Sequence, residues 1–320
     1  MRKLLLLRLC AASALLLPMC DSYDGPPPVG QVRAVDPEAD ILMTEAKAYQ
    51  EEGKISKSRG PLKEIVRYHA LAPNAPQARF MLGQAYEATQ DYRDAFKEYG
   101  KLIDRYPQSS LYADALNRQL AMAMDAATGK MKVPVFWGAW ETNMESTVVV
   151  SWLREIVTKA PYNDMAATAS SILAKFLLDQ ERPEDARMEY ARLVEKYPDS
   201  SYAPEAQLMV AQLWANSHTR GDNNLVNLSN AREAYEEFSL RFPKHAEANK
   251  ALSGAADMDR LMVKQQLEVG RYYLERSREY TSAIFCLEDV IRQKQINPEA
   301  AAEAETLLEK ARKAAEEAKS

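Results

Sequence analysis

An alanine, a bulky residue four positions later and a proline eight beyond that recur in this chain. Ala95, Tyr99 and Pro107 form one set; Ala186, Tyr190 and Pro198 form a second; Ala231, Tyr235 and Pro243 form a third. Val149 and Pro161 copy the outer positions in mid-chain. Ala283 and Leu287 copy the first half near the end, with Gln295 at the proline position, and Pro61, Ile65 and Pro73 copy it loosely near the start. Between alanine and proline the apolar residues keep a helical period: Ala95, Tyr99, Leu102, Ile103 and Tyr106 make one stripe. The proline stops the helix, because it has no N–H and disfavours helix in the residue before it. Ahead of this helix, across the turn Thr89-Gln90-Asp91, Leu82, Ala85 and Tyr86 mark one face of another. One such pair cannot cover its own apolar face, so each pair predicts a neighbour of the same kind.

The interval from Pro73 to Pro107 is 34 residues, the length of a tetratricopeptide repeat. The later proline intervals of 54, 37 and 45 are then units with insertions. A small residue at the alanine position lets two helices approach closely. The expected fold is all-α: a tetratricopeptide-repeat solenoid over residues 37–320, of about six helix pairs with a C-terminal capping helix. The pairs fall at 37–71, at 78–112, and from Leu111 to Ala160 with an insertion over 129–144. Further pairs fall at 164–197, with Ser201 as N-cap of the helix after it, and at 202–242 around a polar loop. The last has one extended helix, Glu247–Arg276, followed by Thr281–Gln293, and the Ala-, Glu- and Lys-rich tail from Pro298 caps the end.

Several function classes are unsupported. A net charge of −5 argues against a nucleic-acid binder that relies on a basic surface. The 11 glycines include no phosphate-binding loop, and no Gly-x-Ser-x-Gly elbow is present. His69, His218 and His245 lie far apart without Cys or carboxylate partners at ligand spacing, so they read as surface or groove residues. No catalytic residue, metal or cofactor is expected, and the chain reads as a non-enzyme.

Residues 1–20 read as an export signal: Arg2 and Lys3 precede an apolar run, Leu4–Leu17, that is short for a membrane span. Leu17-Pro18-Met19-Cys20 resembles a lipoprotein processing site, with Pro18 and Met19 where small residues are usual, and Cys20 is the candidate lipidation residue. Cleavage elsewhere and an uncleaved anchor are the alternatives. Residues 21–36 form a tether, with Pro26-Pro27-Pro28 stiff between the flexible points Gly25 and Gly30. It reads as a spacer, or as a proline-rich ligand. With Cys10 in the signal and Cys20 lipidated, Cys286 is left alone as a small buried hydrophobe, and the mature chain rests on helix packing without an intramolecular disulfide.

The insertion carries Phe136, Trp137 and Trp140. Large apolar groups in a loop either fold back into the solenoid groove or contact a partner, for which Trp and Phe are favoured anchors.

Two stretches go beyond generic repeat consensus: Tyr197-Pro198-Asp199-Ser200-Ser201-Tyr202-Ala203-Pro204-Glu205-Ala206, and Leu267-Glu268-Val269-Gly270-Arg271-Tyr272-Tyr273-Leu274-Glu275-Arg276 with Ala283-Ile284 after it. Both resemble the BamD-like outer-membrane assembly lipoproteins, over most of residues 37–295. That resemblance implies a lipid-anchored scaffold at the periplasmic face of the outer membrane. Its C-terminal repeats would dock on the periplasmic domains of a β-barrel assembly protein, and its N-terminal repeats would receive unfolded outer-membrane proteins. Arg271, Tyr272, Tyr273 and Arg292 then join Phe136, Trp137 and Trp140 as partner-binding candidates. Two departures stand out. Cys286 takes the place of the family's docking arginine, with Arg292 as the substitute charge. Asp21 follows Cys20, and in some bacteria an aspartate there holds lipoproteins at the inner membrane, so the destination membrane stays open. The other function class is a cell-envelope tetratricopeptide adaptor outside barrel assembly, in peptidoglycan coordination or secretion. A third reading, an enzyme site built by the insertion, needs paired carboxylates or histidines near Trp137.

Overall fold

The computed structural model describes residues 35–135, 139–217 and 224–318. Within them helices follow one another as antiparallel neighbours. The first pair is α1 (Pro37–Glu51) with α2 (Ile55–Tyr68), the second α3 (Ala75–Ala88) with α4 (Tyr92–Arg105), and the third α5 (Tyr112–Ala127) with α6 (Ser146–Lys159). The fourth is α7 (Asp164–Asp179) with α8 (Pro183–Lys196), and the fifth α9 (Ala203–Ser217) with α10 (Asn224–Arg241). The long α11 (Ala248–Tyr272) continues into a π-helical turn, Tyr273–Ser277, and pairs with α12 (Tyr280–Arg292); α13 (Pro298–Glu317) packs on both. Each helix packs on the next, and α5 also reaches α7 across the pair boundary. This is the all-α solenoid that the recurring alanines require.

Local signals set the boundaries. Asp36 accepts the Ala39 N–H at 3.3 Å and caps α1, Asn163 caps α7 through the Met165 N–H at 3.0 Å, and Asn297 caps α13 through the Ala300 N–H at 3.1 Å. Pro37 and Pro298 occupy the first turn, where a missing N–H costs nothing. The turns inside the second and fourth pairs are equivalent: Gln90 at φ 62° and Glu181 at φ 58° are left-handed, which reverses the chain in a single residue. Because α9 opens at Ala203, the position ahead of it is Tyr202 and not Ser201.

The repeated alanines are fully buried at Ala95, Ala186, Ala231 and Ala283, and so is Val149. The bulky position four residues on is buried too, at Tyr99, Leu153, Tyr190 and Leu287. The first pair departs from its expected register. Helix α2 opens at Ile55, so buried Ser58 and Leu62 hold the small and bulky positions, and Pro61 lies inside the helix. Glycines mark where the partner helix comes closest. A Cβ on Gly83 would sit 2.7 Å from the Tyr99 ring, and one on Gly270 would sit 2.9 Å from Leu287 Cδ2.

The insertion, expected as a loop, contains a two-stranded antiparallel hairpin, β1 (Lys132–Val135) with β2 (Trp140–Asn143). Val133 and Val135 supply the β-branched, alternating pattern that favours it.

The buried residues form unequal cores. One runs without a break from Ala39 to Ala234 through the first five pairs. A second joins Val263 and Leu267 of α11 to Ala283, Leu287 and Val290 of α12 and to α13. A small patch of Leu228, Ala231 and Met258 lies between α10 and α11.

Candidate docking surface

A docking surface works only on a frame that holds its shape. Tyr99 of α4 donates its hydroxyl to Glu87 of α3 at 2.9 Å, and Arg118 of α5 donates to the same carboxylate, so three helices meet at one acid. Burial, and then Glu87, push the Tyr99 phenol far above its ordinary value, while the hydrogen bond to Glu87 raises Arg118. Phe96 of α4 stacks on Trp152 of α6 at 4.4 Å, and Lys159 of α6 reaches back to the Gly100 carbonyl at 3.1 Å and to Asp104 at 2.6 Å. Arg79 is buried and meets Glu98 at 2.8 Å; on the outer side Arg154 of α6 meets Glu189 of α8 at 3.2 Å. Arg79 with Glu98 ties α3 to α4 within the second pair, and the contacts of Arg118, Trp152, Lys159 and Arg154 clamp adjacent pairs to one another.

The residues expected to bind partners fall on two separate places. Cys20, Phe136 and Trp137 lie outside the described residues. Trp140 opens β2 and is 63% exposed. At the base of the same insertion Met131 and Met144 are buried in the main core, and Val133 packs against it. The base of the insertion thus folds back onto the solenoid, and Trp140 does not. A cleft of about 470 Å³ at the hairpin base is lined by Glu87, Tyr92, Arg118, Asp125, Lys130 and others. Burial raises the Tyr92 phenol there, helped by Glu87, Glu141 and Asp125.

The second place is the C-terminal unit. Arg271 is drawn into ion pairs with Glu268 at 3.0 Å on its own helix and with Glu303 of α13. Tyr273 packs on the C-terminal core, whereas its neighbour Tyr272 is 59% exposed, the two rings meeting edge to face at 6.0 Å. Arg292 pairs with Asp289 at 2.9 Å and stays largely in solvent. Cys286 is half-buried beside Gly270, and burial pushes its thiol up, with Asp289 adding to the shift. Phe285, next to it, is exposed. Arg271 therefore braces α11 against α13, and Tyr272 and Phe285 are the exposed aromatic groups this unit presents among its described residues, with Leu252 of α11 and Ile296 after α12 exposed as well.

Among the histidines, His69 departs from a surface or groove position. Its ring is mostly buried, and Nδ1 lies 3.1 Å from Asp36, tying the end of α2 to the start of α1. His245 is at the surface, edge-on to Phe238 at 5.3 Å, and His218 lies outside the described residues.

Sequence reasoning missed a groove between α8, α9 and α10. It has a volume of about 470 Å³ and a floor of Val194, Val210 and Trp214. Glu195, Glu233 and Glu237 stand on its walls, with Arg241 at one end. The signal was faint: a tryptophan in α9, and two glutamates one turn apart in α10.

Among the described residues no group of three or more His, Cys, Asp or Glu side chains is arranged to hold a metal ion. No helix among them is long and apolar enough to cross a membrane. Two stretches match family models described as tetratricopeptide repeat, at residues 43–110 and 170–200. No curated protein matches the sequence. Solved structures with a similar course include PilF from Pseudomonas aeruginosa, 14% identical over 77% of this chain and 98% of its own, with a TM-score of 0.31. A tetratricopeptide repeat protein from Parabacteroides merdae is 10% identical over 84% of this chain and 99% of its own, with a TM-score of 0.31. MamA from Desulfovibrio magneticus is 16% identical over 67% of this chain and 99% of its own, with a TM-score of 0.30. Likenesses this distant carry no argument about activity. The helix pairs and the two repeat matches support a tetratricopeptide-type scaffold for protein–protein interaction.

Proposed function

We propose that this scaffold serves outer-membrane β-barrel assembly from the periplasmic face, held to the membrane by lipid on Cys20. The segment Leu267–Arg276 carries the reading. It resembles a stretch of the BamD-like lipoproteins that precedes their docking helix, and a physical reason accompanies the likeness. Gly270 lets α11 close on Leu287, the C-terminal core forms around that contact, and Tyr272 is left facing solvent on a unit with its own core. Aromatic side chains on a firm base are the usual anchors of a protein interface. In this reading the C-terminal unit docks on the periplasmic domains of the barrel-assembly protein, and the first five pairs receive unfolded outer-membrane protein segments. Arg292 supplies the charge that Cys286 does not.

The test is recovery of partners from detergent-solubilised membranes with the full chain as bait. A barrel-assembly protein should come down with the bait, and less of it with Tyr272→Ala. Recovery of peptidoglycan-synthesis or secretion proteins in its place would move the chain to the adaptor class. Mass spectrometry of the mature N-terminus reads the anchor directly: an unmodified residue at the start removes lipidation from the proposal.

A further inference from the structure

We propose that the groove between α8, α9 and α10 binds an extended segment of a partner protein that sets a lysine or arginine beside an apolar side chain. The inference rests on the docking-scaffold reading but not on which machinery the partner belongs to.

The floor of the groove is apolar, formed by Val194 from α8 and by Val210 and Trp214 from α9. Its walls carry three carboxylates, Glu195, Glu233 and Glu237, against one cation, Arg241, whose guanidinium lies 3.9 Å from Glu237. Glu233 and Glu237 are one turn apart on α10, and like charges at that spacing weaken a helix by a few tenths of a kcal/mol. The Glu237–Arg241 pair, also one turn apart, offsets part of that repulsion. Glu233 has the Ser229 hydroxyl at 3.3 Å as a local donor. Glu195 has no cation partner among the described residues.

Two further contacts show a built site. Gln207 is only 4% exposed, yet its amide donates to Glu237 at 3.1 Å and so fixes that carboxylate at the groove wall. The Arg187 guanidinium carbon lies 3.6 Å from the centroid of the Trp214 ring, covering one face of the indole and holding it in place at the groove floor. An apolar floor beneath three carboxylates and one lining cation favours a basic group and repels an acidic one. The volume of about 470 Å³ suits one or two side chains and not a whole helix, which is why the occupant is an extended segment.

Fluorescence anisotropy tests this with the full chain and a labelled peptide, Ser-Leu-Ser-Arg-Ser-Leu-Ser-Arg, against the same peptide with glutamate for arginine. The basic peptide should bind at least about tenfold more tightly than the acidic one. Glu233→Gln with Glu237→Gln should weaken it by about tenfold, and Glu195→Gln alone by less. The control is the same charge change at exposed positions of the first pair, Glu45→Gln with Glu64→Gln, which should leave binding unchanged. Far-UV circular dichroism checks that each variant is folded; should the double variant unfold, Glu195→Gln decides. Equal binding of the two peptides overturns the proposal. So does an equal loss in the control variant, which would reduce the effect to general attraction toward a chain of net charge −5. Failure here together with recovery of a barrel-assembly protein would leave the proposed function standing without this groove.

Discussion

In α4 the buried stripe is Ala95, Phe96, Tyr99 and Leu102; in α12 it is Ala283, Leu287 and Val290. Both stripes press against the helix before and cover the helix after. Their reach differs. Tyr99 spans α4 to meet Glu87 and, through it, Arg118, while Phe96 stacks on Trp152 two helices further along the chain. The aliphatic stripe of α12 ends in its own core with α11 and α13, much of it alanine: Ala300, Ala304 and Ala311. The buried core is continuous through the first five pairs, and the C-terminal unit adjoins it through the contact of α10 with α11, where Ser239 donates to the Ala248 carbonyl at 3.0 Å and Leu228, Ala231 and Met258 form a small separate patch. Within one solenoid, side-chain length decides how far a contact is felt.

The largest effect should follow from cutting each stripe at its bulky position. Tyr99→Ala removes a fully buried ring and the hydroxyl that Glu87 accepts, and should cost about 3–5 kcal/mol. Leu287→Ala should cost about 2–5 kcal/mol. The comparison lies in where the loss appears. Hydrogen exchange should quicken across the first five pairs in the tyrosine variant, with protection kept in 280–311, and only in α11 to α13 in the leucine variant. A uniform loss in both variants would make the chain one cooperative unit and dissolve the distinction.

Most of the pair boundaries were legible because proline, alanine and the bulky residue each act through short-range physics that repeats. The first pair was read three residues out of register. Its small residue is Ser58, and Pro61 mimics the register because it stands twelve residues before Pro73. The α11–α12 pair hides another irregularity. From Gly83 to Ala95 is 12 residues, but from Gly270 to Ala283 is 13, and the π-helical turn at Tyr273–Ser277 absorbs the extra one. The docking surfaces were harder to read. Trp140 was found through its residue type, but its exposure depends on the buried anchors Met131 and Met144, which lie outside any helical pattern. The groove at Trp214 draws on three helices with no common motif, so only coordinates assemble it.

An alkaline titration compares the same regions through their phenols. Burial pushes Tyr190 up to about 12 from an ordinary 10, with Glu205 and Asp179 adding to the shift, and the residue is 7% exposed. The folded state therefore holds the phenol proton more tightly than the unfolded chain does. Its contribution is complete below pH 10 and falls as pH climbs toward 12, a loss of about 2–3 kcal/mol. Tyr99 shifts in the same direction, so the main core should loosen in that window. Urea midpoints measured at pH 9 and at pH 11.5 should draw together in Tyr190→Phe relative to the parent chain. A gap of unchanged size would remove Tyr190 from the account.

The smallest contrast is between two glycines that face the two kinds of stripe. Alanine in a helix gains about 0.5–1 kcal/mol over glycine, and crowding a packed core costs about 1–3 kcal/mol. At Gly83 the new methyl meets the flat of the Tyr99 ring at 2.7 Å, and that ring is held at its far end by Glu87. It cannot swing away, so Gly83→Ala should lose about 1–2 kcal/mol net. At Gly270 the methyl meets Leu287 Cδ2 at 2.9 Å and Cγ at 3.1 Å, and that untethered aliphatic chain gives way more easily than a ring held at its far end. Gly270→Ala should lose less than about 1 kcal/mol, because the helix gain nearly offsets the crowding. Thermal denaturation of both variants decides the matter. Equal losses would mean that the aliphatic contact is as unyielding as the aromatic one, and the difference between the two regions would then lie in connectivity alone.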